Sequence, residues 1–181
     1  MLLGIFGLIV LALALRVIPA AVAPRGAGVD QWFWRAYVEK LRAAKVFPPQ
    51  LPQFLLDEAQ WYPPLFPVVL SRLPAAVFSR YGRYLGILID LLRLLVLALA
   101  TRWRSGSDAA AVFAGAVYAI TPLLVTYNMQ LNSRGMAALL LDLCWLTVAA
   151  LLLKNAAPWL WCVALALAGL LAQQFPTFQL G

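Results

Sequence analysis

The 181 residues contain no histidine, two cysteines and seven acidic side chains. Without histidine, the chain has no His-based metal site and no Ser-His triad. A general base within it must be a carboxylate. Cys144 and Cys162 both lie in apolar runs and read as small buried thiols that pack as hydrophobes. Charged residues make up 12% of the chain and hydrophobic residues 64%, with a mean hydropathy of +0.86. A soluble domain carries about a quarter charged residues. That deficit points to a membrane protein, whose lipid-facing surface is apolar as well. Also missing are a nucleic-acid-binding motif and a nucleotide-binding glycine-rich motif. The net charge of +7 therefore points to anionic headgroups or phosphate-bearing lipids, not to nucleic acid. There is no repeat and no low-complexity tract.

What the chain does have is long hydrophobic runs. The first covers residues 2–23, long enough to span a bilayer. Arg16 interrupts it and is expected to snorkel toward the nearer interface. Ala21-Val22-Ala23 also fits a signal-peptide cleavage site. The lack of a basic leading region, the position of Arg16 and the following Pro24 favour an uncleaved span. Residues 25–80 are more polar. Asp30 to Lys45 reads as an amphipathic helix, with Phe33, Tyr37 and Leu41 recurring at fours beside Trp34 and Val38. Arg35, Glu39, Lys40, Arg42 and Lys45 take its other side, as in helices that lie in the membrane interface. Prolines at 48, 49 and 52 break it. A second interfacial helix is expected over 65–78, with Pro67 in its first turn and Pro74 as a kink.

Further spans are expected at 84–101, 109–127, 136–153 and 158–171. The fold class is thus an all-α polytopic membrane helix bundle. It has about five spans, with interfacial amphipathic helices in a long first loop. The bundle reads as one transmembrane domain over 1–181, the N-terminal part of a larger one. Asp90 and Arg93, three apart in the second span, read as an internal ion pair. The connector at 102–107 has two arginines, that at 154–157 one lysine, and that at 128–135 one arginine. The positive-inside tendency then puts the N-terminus inside and the 25–80 loop outside, in the cell membrane. The loop's own basic residues are accounted for by lipid phosphates.

Asp30 is the first acid in the chain and stands beside Trp32, Phe33 and Trp34. One reading is an N-cap, which accepts a backbone N–H bond. The other is a carboxylate base at the membrane surface, where aromatics exclude water and raise its proton affinity. Asp57-Glu58 reads either as a solvated turn or as a ligand for a hard divalent cation. Arg134 either caps a span at the interface or clamps a phosphate.

The layout resembles the GT-C class of polytopic membrane glycosyltransferases, especially protein O-mannosyltransferases and aminoarabinose lipid A transferases. Val29-Asp30-Gln-Trp-Phe-Trp34 is similar to the acidic motif that opens their first outside loop. Leu56-Asp-Glu-Ala-Gln-Trp-Tyr-Pro-Pro-Leu-Phe-Pro67 is similar to their downstream acidic, Tyr/Pro-rich motif. Thr121-Pro-Leu-Leu through Asn132-Ser-Arg-Gly135 is similar to their connector between the third and fourth spans. The resemblance implies an inverting transferase. It would move a sugar from a polyprenyl-phosphate donor to an acceptor hydroxyl of unknown identity. Asp30 is the implied base, and Arg134, Tyr62 and Asn132 the implied substrate- and phosphate-binding residues. Glu58 or Asp57 is the implied ligand for a divalent metal cofactor. Relatives often carry an acid in the connector where this chain has Asn132-Ser133-Arg134. That departure favours direct phosphate neutralisation by Arg134 over a metal. Two other readings stay open. Asp90, Arg93 and Asp142 suit a transporter or channel fragment, and a membrane scaffold without catalysis needs none of these residues.

Overall fold

The computed structural model describes residues 2–22, 30–45, 65–128, 130–154, 157 and 159–174. Among these every regular element is helical. Helix α1 (Leu2–Val22) precedes α2 (Asp30–Ala44), α3 (Leu65–Arg72) and α4 (Ala75–Tyr81). A 3₁₀ turn over Gly82–Tyr84 leads into α5 (Leu85–Ser105), followed by α6 (Asp108–Ile120) and α7 (Pro122–Asn128). Helices α8 (Ser133–Lys154) and α9 (Trp159–Gln174) close the described chain.

Two helices, over Leu3–Val22 and Ser133–Leu153, are long and apolar enough to cross a membrane by length and composition. The bent pair α4 and α5, turned by 77°, makes a third if counted as one span. Helices α6 and α9 are apolar but shorter. The chain is therefore membrane-associated, with two or three candidate spans among the described residues.

Helix α5 ends where Gly106 adopts φ +69 and donates its N–H to the Arg102 carbonyl at 2.8 Å. A left-handed residue at this position favours glycine and satisfies a carbonyl the helix would leave open. Arg102 and Arg104 thus belong to the last helical turn, where the helix dipole favours cations. The next helix starts at Ser107, whose Oγ accepts from the Ala110 N–H at 3.2 Å.

The third hydrophobic run, expected as one helix over 109–127, is broken. Thr121 is extended (φ −63, ψ 113), as the residue before a proline tends to be. Pro122 has no N–H to give the Tyr118 carbonyl. That oxygen accepts from Thr121 instead, at 3.4 Å, and the Ala119 carbonyl receives Arg16 Nη1 at 3.1 Å. The proline break thus creates an acceptor inside the bundle, and the arginine in α1 fills it.

Helices α1, α5 and α6 pack around a core of Leu8, Ala12, Ile87, Leu91, Leu94 and Tyr118. Gly115 permits the close approach of α1 and α6: a Cβ there would stand 2.7 Å from Leu8 Cδ1. Helix α8 lies against α5, and α9 against α8.

Three sequence expectations change here. Arg16 does not snorkel; it is fully buried and paired with Asp90. The charges on α5 serve different neighbours, Asp90 meeting Arg16 of α1 and Arg93 Nε meeting Asp142 Oδ2 of α8 at 2.8 Å. Cys144 is only half-buried and Cys162 is exposed, because both lie on helices whose outer faces remain uncovered.

Candidate functional site

The amphipathic stretch after α1 forms as its pattern requires. Helix α2 begins at Asp30 and buries Trp34, Tyr37, Val38 and Leu41 along one face. The expected helix over 65–78 is instead two helices, separated at Leu73-Pro74. Pro67 sits in the first turn of α3, and Pro74 precedes α4 with φ −54, ψ 138.

The break leaves the C-terminal carbonyls of α3 without helical partners. Arg42 supplies them: its guanidinium donates to Leu70 O at 3.1 Å, Ser71 O at 3.2 Å and Leu73 O at 2.6 Å. Its Cζ also stands 4.9 Å from the Phe78 ring centroid. Arg35 Nη2 donates to Ser79 O at 2.9 Å. These two loop cations therefore fasten α2 onto α3 and α4. The lipid-phosphate role expected for the loop's basic residues does not describe them.

The layer they hold together is packed on the bundle. Trp34 meets Phe66 edge-on, with centroids 4.9 Å apart. Both belong to one cluster with Val38, Leu70, Phe78 and Leu131, and Leu85, Ile89 and Met136 pack against it. Leu131 lies directly before α8, while Leu85 and Ile89 belong to α5. Burying Trp34 and Phe66 stabilises this arrangement by roughly 1.5–3 kcal/mol per side chain. The loop therefore folds back on the long helices within its described part.

This packing gathers three predicted site positions at one corner of the fold. Asp30 stands four residues before Trp34, about one helical turn. Asn132 and Arg134 follow Leu131 directly. Asn132 is buried, and its Oδ1 accepts the Gly135 N–H at 3.2 Å, an N-cap for α8. Arg134, in the first turn of α8, is exposed. Asp30 is the opening residue of α2, and its side chain lies outside the described residues. Asp57, Glu58 and Tyr62 lie outside them entirely. Among the described residues no group of three acidic or thiol side chains comes together. The metal expectation rests on Asp57 and Glu58 alone.

Sequence reasoning named Asp90, Arg93 and Asp142 but missed Arg16 and Tyr118, which complete a polar centre with them. Arg16 Nε contacts Asp90 Oδ2, and the Tyr118 hydroxyl donates to Asp90 Oδ1 at 2.6 Å. Arg93 stacks over the Tyr118 ring at 5.6 Å and bonds Asp142. The signal was a single arginine inside an otherwise apolar first helix, matched by one acid in α5.

Comparison with family models, curated proteins and solved structures finds no match for the chain.

Proposed function

We propose that the protein is a membrane glycosyltransferase of the GT-C type. It transfers a sugar from a polyprenyl-phosphate donor to an acceptor hydroxyl at the outer face of the cell membrane. The observation that carries this reading is the shared cluster of Trp34 and Leu131. Through it, the helix that opens with Asp30 and the helix that opens beside Arg134 converge. A catalytic carboxylate and a phosphate-neutralising cation need such convergence.

In this mechanism Asp30 accepts the proton of the acceptor hydroxyl. The hydroxyl oxygen forms a bond to the anomeric carbon as the bond from that carbon to the phosphate oxygen breaks. The configuration inverts, and polyprenyl phosphate leaves with the bonding electron pair. Arg134 balances the charge on the departing phosphate. Glu58 or Asp57 would hold a divalent cation, which would supply Lewis-acid charge for phosphate departure. In this reading the five hydrophobic helical regions all cross the bilayer, with the N-terminus inside and 25–80 outside.

A transport pathway is less well supported. Of the charges that suit such a pathway, Asp90 is sealed against Arg16 at 1% exposure, and Arg93 and Asp142 are engaged with each other at 2.8 Å.

The test is reconstitution of the protein in liposomes with a labelled polyprenyl-phosphate sugar. Release of polyprenyl phosphate that depends on an added acceptor supports the proposal. Failure to release it across a panel of sugars, by protein shown to be folded, leaves the scaffold reading. A cysteine placed at 48–60 should label from outside; labelling from the cytoplasm overturns the orientation.

A further inference from the structure

A groove of about 580 Å³ runs between α5 and α8 on the side away from the Asp30 corner. Its α5 wall presents Arg93, Leu97, Ala100 and Arg104. Its α8 wall presents Asp142, Leu146, Ala149 and Leu153 at the same intervals of four, three and four residues. That is the spacing of two facing heptad seams, which ordinarily interlock. Here the Arg93–Asp142 ion pair ties the seams at one end, and the small side chains of Ala100 and Ala149 leave the middle unfilled. From Arg93 to Arg104 the groove runs roughly 16 Å at 1.5 Å per residue. That is about half of a ~30 Å hydrocarbon core, the depth of one leaflet.

The mouth differs from the walls. Trp103 and Arg104 line it, at the end of α5. Tryptophan and arginine at a helix end sit at the level of lipid headgroups. Arg102 nearby is engaged by Asp108 at 2.7 Å. Arg104 is exposed and has no hydrogen-bonding or ionic partner among the described residues. An unbalanced cation at the mouth of a mostly apolar slot one leaflet deep is complementary to an anionic headgroup carrying an acyl chain.

We infer that this groove is a binding site for an anionic phospholipid of the leaflet that meets the 102–107 connector. One acyl chain lies between α5 and α8, and the phosphate pairs with Arg104. The ligand lies at the opposite end of α5 from the proposed donor site and does not depend on that assignment.

The test is native mass spectrometry of the purified protein with phosphatidylglycerol and phosphatidylcholine. The wild type should retain phosphatidylglycerol about five-fold over phosphatidylcholine, the preference expected from one arginine near an anionic headgroup. Arg104→Gln should abolish the preference, Arg104→Lys should keep it, and Arg72→Gln, at a remote exposed cation, should leave it unchanged. Ala149→Trp should fill the slot and release both lipids. Retention of the preference by Arg104→Gln overturns the proposal. So does unchanged lipid retention in Ala149→Trp. Should Ala149→Trp not fold, a photoreactive side chain at Ala100 decides the matter in otherwise native protein. Crosslinking to phospholipid supports the site, and crosslinking to peptide gives the groove to another helix. Polyprenyl phosphate displacing phosphatidylglycerol with the same dependence on Arg104 also overturns the assignment.

Discussion

Arg16 of α1 and Asp90 of α5 meet as an ion pair in the interior of the bundle, 0% and 1% exposed. Two further interactions anchor it, the Tyr118 hydroxyl on Asp90 and the Ala119 carbonyl on Arg16. Three helices thus depend on charges taken out of both water and lipid. Breaking such a pair from one side leaves an unpaired buried charge and costs about 3–5 kcal/mol, whereas replacing both members by apolar groups costs far less. Asp90→Ala should therefore lower unfolding stability in micelles by about that amount. The double variant Arg16→Leu/Asp90→Leu should recover most of the loss. A double variant as unstable as the single one would show that the pair does not couple the helices.

Tyr118→Phe removes one hydrogen bond to a carboxylate and leaves the ring in place beneath Arg93. A loss of about 1.5–3 kcal/mol is expected. Denaturant titration of the variant against wild type reads it directly. No loss would mean that the hydroxyl does not support Asp90.

Trp34 and Leu131 join the α2–α4 layer to the long helices. Trp34→Ala should cost about 3–5 kcal/mol and Leu131→Ala about 2–5 kcal/mol. Hydrogen exchange should accelerate over 30–44 in both variants, with the middle of α8 still protected. Uniform acceleration across the chain would mean that the layer and the bundle unfold as one unit.

Asn132 caps α8 in the structure, although its family resemblance suggested a phosphate ligand. Asn132→Ala should cost about 1 kcal/mol, while Asn132→Ser should preserve stability, since serine caps equally well. If capping is its whole role, Asn132→Ser also retains sugar transfer. Loss of transfer with stability intact would give the amide a ligand role.

Several features of this fold were legible because one physical rule decided them. The face of α2 followed from Phe33, Tyr37 and Leu41 recurring at fours beside Trp34 and Val38; all are buried but Phe33, which is half-buried. The place of Pro67 followed from its missing N–H, and the apolar runs announced the long helices. What escaped were pairings between helices distant in sequence. The i,i+3 spacing of Asp90 and Arg93 suggested a local pair. Spacing within one helix does not reveal that Arg16 and Asp142 approach from opposite sides. Arg35 and Arg42 looked like surface charges because the carbonyls they satisfy exist only after Pro74 ends α3. The break at Thr121-Pro122 was written in the sequence, but the hydropathy of the run masked it. At the candidate site, the sequence named Asp30 and Arg134, and the fold added the hydrophobic cluster that Trp34 and Leu131 share. Asp57, Glu58 and Tyr62 retain only their sequence argument.

The central claim is that Asp30 removes a proton from the acceptor. Asp30→Asn keeps the size and the capping capacity of the side chain and removes only its basicity. The decisive measurement is the single-turnover rate of sugar transfer by wild type and Asp30→Asn in the same liposomes, with donor binding measured in parallel. A fall of about 10²–10⁴-fold in the rate with donor binding unchanged is the predicted result. Transfer at the wild-type rate by the folded variant would contradict the account.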